Sequence, residues 1–160
     1  MSTLRSCLQF LDEHQIAYQH TKHPHAYAAT EVASAERMPA GSFAKTIVFE
    51  GNTGFAIAAL PATCEVNLED LESCLDFGPL RLASEVELAR LFPGCEVGAM
   101  PPLGVLFGLP VFVDEKLAAE EFICFNAGTH RDAIHMSFAD FVRATHPIVL
   151  RFAQVASKVH

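Results

Sequence analysis

The sequence predicts an α+β domain: a mixed, curled β-sheet with helices around it. Three observations lead there. Strand-like and helix-like stretches are interleaved along the 160 residues. Hairpins and short helices dominate, which favours α+β over a doubly wound fold. No internal repeat or low-complexity tract interrupts them. A chain of this length has enough residues to bury a core, and residues 1–160 are expected to fold as a single domain.

Composition narrows the class. The chain is 51% hydrophobic and 19% charged, a globular balance rather than a disordered one. No apolar run reaches the roughly 18 residues that a membrane helix needs, so no membrane partner is expected. The N-terminal residues lead into Asp12, Glu13 and His14 and do not read as a signal peptide. The five cysteines (Cys7, Cys64, Cys74, Cys95 and Cys124) are scattered, with no C-x-x-C pair. That pattern points to reduced thiols and a cytoplasmic protein. The formal net charge of -8 gives no bulk basic face. A nucleic-acid partner would be held at a few points or delivered by another protein.

In chain order, Leu4, Cys7, Leu8, Phe10 and Leu11 fall at helical spacing, so residues 3–14 predict an amphipathic helix capped by Ser2 or Thr3. Residues 16–21 alternate as a short strand, which His23-Pro24-His25 breaks. Thr30 caps a short helix over 30–38, with Pro39 after its end. Residues 43–49 (FAKTIVF) predict a strand, the Gly51–Gly54 stretch a turn, and residues 55–60 the second arm of a hairpin. Asn67 caps a helix to Leu75 with Leu68, Leu71 and Leu75 on one face. Residues 80–83 suggest a short strand. Ser84 opens a helix with a capping-box pattern that stops near Phe92. Strands follow at 109–114, 121–125 and 133–136. Ser137 caps the last clear helix, with Phe138, Phe141 and Val142 inward. The segment 146–160 either packs back or frays.

Three stretches carry candidate chemistry. Lys45 is one ammonium in an apolar strand; it either faces solvent or enters a cleft and holds an anion. The 98–104 loop, GAMPPLG, is stiff, and its backbone can approach a ligand closely. The 126–131 loop presents Gly128 and His130 at a tight turn; loop amides suit a developing oxyanion, and a histidine there can orient a substrate or pass a proton. Four histidines, at 14, 20, 23 and 25, crowd the N-terminal region. Zinc needs three or four convergent ligands, and no H-x-x-x-H helix or cysteine pair completes a set, so no metal is expected and these read as loop or surface residues. No G-x-S-x-G elbow and no G-x-x-x-x-G-K-[ST] loop is present, which removes support for a serine hydrolase of the α/β type or an NTPase.

The 44–49, 98–104 and 125–130 stretches, in that order, resemble the signature segments of the YbaK family, the domain also inserted in bacterial prolyl-tRNA synthetases. The resemblance covers nearly the whole chain. It implies a mixed, strongly curved, barrel-like sheet flanked by helices, no cofactor, and hydrolysis of the ester that joins a wrong amino acid to the terminal adenosine of a tRNA. Carried onto this chain, Lys45 would hold a phosphate of that nucleotide, and Gly98 would offer its backbone to the aminoacyl carbonyl or the attacking oxygen. Thr30, Pro102, Gly128 and His130 would line the substrate site. His130 hints at an alanine-type or other small-residue specificity, since the cysteine-specific branch commonly carries another residue there. The substrate implied is tRNA-Pro carrying alanine or another small amino acid such as cysteine. Ala99 stands where many relatives have a second glycine. The implied partners are the tRNA acceptor end and, for delivery, prolyl-tRNA synthetase or an elongation factor. The alternative is a relative of the same fold that binds a tRNA end, a nucleotide or a protein without cutting anything.

Overall fold

A computed structural model describes residues 2–24, 33, 36 and 38–156. Of the helix expected over 30–38 only residues 33, 36 and 38 are described; its cap Thr30, and His25, lie outside the described residues.

Local capping is as the residue types dictate. Helix α1 spans Thr3–Glu13, and the Ser2 side chain accepts from the Arg5 N–H. Strand β1 is Gln19–Lys22. A short 3-10 turn, Ala40–Ser42, leads into β2, Ala44–Gly51, which turns tightly into β3, Gly54–Pro61. Next come β4 (Cys64–Val66), α2 (Leu68–Cys74, capped by Asn67), β5 (Arg81–Leu82) and α3 (Glu85–Leu91). The capping box expected at Ser84 is complete: its hydroxyl accepts from Glu87 N–H and the Glu87 carboxylate accepts from Ser84 N–H. Strand β6, Val111–Asp114, runs into the four-residue helix α4, Glu115–Ala118. Strands β7 (Phe122–Asn126) and β8 (Asp132–Ser137) precede α5, Phe138–Thr145, which Ser137 caps. The 146–160 stretch supplies two more short strands, β9 (Ile148–Leu150) and β10 (Ala153–Val155).

The strands do not form one curled, barrel-like sheet. They form three open sheets, ordered β1-β8-β7, β10-β4 and β5-β2-β3-β6-β9. The β3–β6 and β6–β9 pairings are parallel and the rest antiparallel, so the sheet is mixed, as expected. Among the described residues, a single bridge from Phe43 to Cys124 joins the three- and five-stranded sheets. Too few pairs form there for a continuous ladder, so the sheet stays open.

Strand β3 is buried on both faces. Ile57 and Ala59 face the larger core, with Val48, Leu103, Phe125 and Phe141. Ala56, Ala58 and Leu60 face a second core, with Phe49, Leu71, Phe112 and Phe152. On α5, Phe141 points inward, but Val142, expected inward, is exposed: the neighbouring position turns about 100° away along a 3.6-residue helix.

The C-terminal stretch packs back rather than fraying, because one buried carboxylate ties it down. Asp114 is fully buried. Its Oδ1 accepts from the N–H groups of Phe152 and Ala153, both at 2.8 Å, and its Oδ2 accepts from Lys116 N–H at 2.9 Å. Asp114→Ala removes three hydrogen bonds to a charged group, each worth about 1.5–3 kcal/mol, and orphans the buried Phe152 N–H. We expect a loss of about 3 kcal/mol or more on that basis, read as a lower urea midpoint; a midpoint equal to wild type would show that the carboxylate does not anchor the C-terminal strands.

Candidate active site

The two loops singled out by the sequence are laced together by backbone hydrogen bonds. Glu96 N–H donates to the Gly128 carbonyl and Gly128 N–H donates to the Ala99 carbonyl, both at 2.9 Å. The second loop is closed by Thr129. Its hydroxyl donates to Asp132 Oδ2 at 2.7 Å and accepts from the N–H groups of Arg131 and Asp132. The other Asp132 oxygen lies 2.8 Å from His20 Nε2.

This lacing brings Gly98 and His130 into contact. His130 is buried, and its Nε2–H donates to the Val97 carbonyl at 2.7 Å. Gly98 has φ +87°, and a Cβ there would sit 3.3 Å from His130 Cε1. Both constraints favour glycine. The Gly98 N–H takes part in no hydrogen bond among the described residues, and the residue is exposed. It lines a cavity of about 270 Å³ that runs along the edge of β2 past Thr46 and Val48 and is walled by α3. The Thr46 hydroxyl is buried in this structure without a hydrogen-bond partner. Sequence reasoning passed Thr46 over; the signal was its place next to Lys45 on a strand, where neighbours point to opposite faces.

Lys45 is the piece that the structure does not place with the other two. It pairs with Leu60 of the second core's face, whereas Thr46 pairs with Ala59 of the larger core's face. Lys45 therefore projects from the other side of β2 from the cavity. It is half-buried and has no hydrogen bond or ion pair among the described residues. Burial pulls its ammonium below the ordinary lysine range, with the more distant Glu65 and Cys64 pulling the other way. Pro102 is buried in its loop and does not line the cavity. Gly128 has both backbone polar groups engaged between the loops, and a Cβ there would come within 2.8 Å of Thr3 Cβ, so the position seats the loop on α1. Thr30 lies outside the described residues. Side chains of metal-ligating type do converge, at Glu36, Cys124 and His135, but none lines this cavity.

A family model described as an aminoacyl-tRNA editing domain matches residues 23–144. The chain belongs to the aminoacyl-tRNA editing domain family. Curated relatives are proline–tRNA ligases: that of Thermosipho africanus is 29% identical over 93 residues, 58% of this chain and 16% of the ligase. That of Bacillus cytotoxicus is 27% identical over 139 residues, 81% of this chain and 24% of the ligase. The editing-domain chain thus spans at most about a quarter of the curated relatives it matches. Among solved structures, a candidate trans-editing enzyme for prolyl tRNA synthetase superposes with a TM-score of 0.83 at 23% identity, covering 96% of this chain and 98% of that one. The hypothetical protein APE2540 does so with 0.83 at 19%, covering 92% and 99%. At these identities the likeness shows the fold. Among the described residues no helix is long and apolar enough to cross a membrane.

The Asp132 carboxylate reports on the second loop. Burial works against its charge, but the Thr129 hydroxyl and His20 outweigh burial and hold it below the ordinary aspartate range. A depressed carboxylate stabilises the fold above its unfolded pKa of about 3.9, and that contribution is lost as pH falls through the lower folded value. Thr129→Ala removes the largest stabilising partner. We expect the acid-unfolding midpoint, followed by circular dichroism, to move up in pH, with about 1 kcal/mol lost at neutral pH. An unmoved acid midpoint would leave Thr129 without this role.

Proposed function

We propose that this editing domain is an aminoacyl-tRNA deacylase: it hydrolyses the ester between a wrongly attached amino acid and the terminal adenosine of a tRNA. The substrate we favour is tRNA-Pro carrying alanine or another small residue such as cysteine. A pocket built for proline rejects a smaller amino acid by only about 1–3 kcal/mol per missing methylene, so a second sieve is needed. The observation that carries the reading is the Gly98 N–H: exposed, unbonded among the described residues, fixed against His130, and at the wall of a cavity that fits a small acyl group. Such a donor can stabilise the oxyanion that forms as the ester is attacked.

Lys45 and Thr46 straddle β2. Between the Phe43–Cys124 bridge and the Phe49–Leu82 pair, residues 45–47 have no strand partner on that edge among the described residues. A terminal nucleotide lying across the edge would set a phosphate on the unpaired ammonium of Lys45 and its ester in the cavity, near the Thr46 hydroxyl. The ester is already activated, so water or the neighbouring ribose hydroxyl suffices as nucleophile and no covalent enzyme intermediate forms. Contacts confined to the tRNA tip suit a chain of net charge -8, with prolyl-tRNA synthetase or an elongation factor delivering the substrate. The placement of Lys45 away from Gly98 and His130 favours the second reading, a relative that binds a tRNA end without cutting it.

A deacylation assay on alanyl-, cysteinyl- and seryl-tRNA separates the two. We expect the wild type to cleave at least one well above the buffer rate; rates equal to buffer on all three would remove the enzyme reading. Gly98→Ala keeps the N–H but strains the positive φ and sets a Cβ against His130, so the donor shifts off its aim. Cleavage should slow by up to about 10²-fold, the cost of an oxyanion donor lost outright, with the fold unchanged by circular dichroism. Lys45→Ala should weaken substrate binding by about 10–100-fold, as loss of a charge-assisted contact does. His130 packs against Gly98 but does not itself line the cavity, so His130→Ala should alter which amino acid is removed through the Gly98 loop; an unaltered preference would leave His130 without a part in that choice.

A further inference from the structure

The face of the three-stranded sheet turned away from the larger core, partly covered by Ala33, Phe43 and Ala62, carries a group of donors that the editing reaction does not use. Gln19 pairs with His135 and Thr21 with Ala133, while Cys124 pairs with His135 across the β7–β8 ladder. Thr21, Cys124 and His135 therefore share one face, and Ile134 and Phe125 occupy the other, in the larger core. Glu36 lies over the first face. Its Oε1 is 2.8 Å from His135 Nε2, and the same nitrogen is 3.6 Å from Cys124 Sγ. The donor atoms of all three lie within 4.8 Å of one another.

This is not a nucleophilic triad. A triad needs the carboxylate on one imidazole nitrogen and the thiol on the other. Here both crowd Nε2, which has a single proton or lone pair to give.

His23 completes the group. Its side chain is 1% exposed, and its Nε2 stands 3.7 Å from Glu36 Oε2 with no hydrogen-bond partner. Its Nδ1 lies 2.8 Å from the Pro24 carbonyl, which can only accept, so Nδ1 carries the proton. In the neutral ring, Nε2 then aims a bare lone pair at a carboxylate. Two acceptors facing each other in a buried place call for a cation between them. The Thr21 hydroxyl donates to Glu36 Oε1 and holds the carboxylate from behind. Burial and the Glu36 carboxylate both push the Cys124 thiol up, so in the empty group it stays protonated; a bound cation would draw the proton off.

We propose that His23 Nε2, His135 Nε2, Cys124 Sγ and one Glu36 oxygen form a tetrahedral Zn²⁺ site. Zinc takes imidazole nitrogen at about 2.0–2.1 Å and thiolate at about 2.3 Å, which puts neighbouring donors roughly 3.3–3.6 Å apart. The Cys124–His135 separation of 3.6 Å already matches, and the Glu36 Oε1–His135 pair of 2.8 Å has to open by about half an ångström. His23 faces the other carboxylate oxygen at 3.7 Å and stands outside the three donors that lie within 4.8 Å of one another, so it has to move in to complete the tetrahedron. A mixed nitrogen, sulfur and oxygen set suits a borderline ion such as Zn²⁺ rather than Mg²⁺ or Ca²⁺. His135 also lines a surface hollow with Tyr18 and Phe122, which gives the ion a way in. The ion would fasten Glu36 and the end of β1 to β7 and β8. The site stands or falls independently of the deacylase reading.

The test uses the full chain, reduced and stripped with a chelator, titrated with Co²⁺ as a spectroscopic probe and then with Zn²⁺. We expect one ion per chain with a Kd tighter than about 10⁻⁶ M. Co²⁺ should give a thiolate charge-transfer band that Zn²⁺ displaces, and Zn²⁺ should raise the thermal unfolding midpoint reversibly. Cys124→Ala should abolish the band, and the exposed control Cys74→Ser should keep it. His23→Gln and His135→Gln should each weaken binding at least tenfold. Should Cys124→Ala fail to fold, the partly exposed His135→Gln decides. Absence of one-to-one binding, a band that survives Cys124→Ala, or unweakened binding in His135→Gln would each overturn the site, leaving a protonated His23 paired with Glu36 as the account of the cluster.

Discussion

Burial of β3 on both faces sets the plan of the molecule. A strand apolar on both sides has to lie between two cores, so the five-stranded sheet becomes a partition: Ile57 and Ala59 serve one core, Ala58 and Leu60 the other. Strand β2 pairs with β3 along its whole length and inherits that division residue by residue. The two-residue period then leaves no freedom: when Ala44 and Val48 face the larger core, Thr46 goes with them and Lys45 does not. The placement of the cation relative to the Gly98 loop is thus a consequence of packing at β3, several residues and one strand away.

What could be read from the sequence was what is local. Helix ends announced themselves through Ser2, Asn67, Ser84 and Ser137, because each cap is satisfied by a backbone N–H three residues on. The β2–β3 hairpin followed from Gly51 and Gly54 around a tight turn. The strands that escaped notice, β4, β9 and β10, are three residues each and exist because of partners far along the chain, such as Val66 opposite Ala153. Asp114 looked like the last residue of a strand; only the fold reveals that it collects three N–H groups. At the candidate site, Gly98 and His130 were legible as types at loop positions, and the structure brings them together. Their separation from Lys45 was not legible, since the side a strand residue faces depends on which neighbours are buried. The donors His23, Glu36, Cys124 and His135 come from separated stretches, so no spacing rule could find them.

The two features argued for chemistry divide the sheet system between them. The Gly98 cavity opens beside the five-stranded sheet, and the histidine–cysteine cluster sits on the face of the three-stranded one turned away from the larger core. The Phe43–Cys124 pair is the one β-bridge between these sheets among the described residues. Cys124 belongs to the cluster, and Phe43 stands two residues before Lys45. Order at the cluster therefore bears directly on how the start of β2 is held, through one pair of backbone hydrogen-bonding residues.

Strand β9 closes the five-stranded sheet on one side and, among the described residues, pairs only with β6. Ile148 and Val149 are both about half exposed there. An uncovered border of this kind presents ready backbone groups and greasy side chains to a second molecule. Its brevity and the proline just before it are the brakes on runaway stacking. In concentrated solution, self-association should begin along this border, and a charged replacement at Val149 is the simplest way to keep the chains apart while leaving the Gly98 cavity untouched.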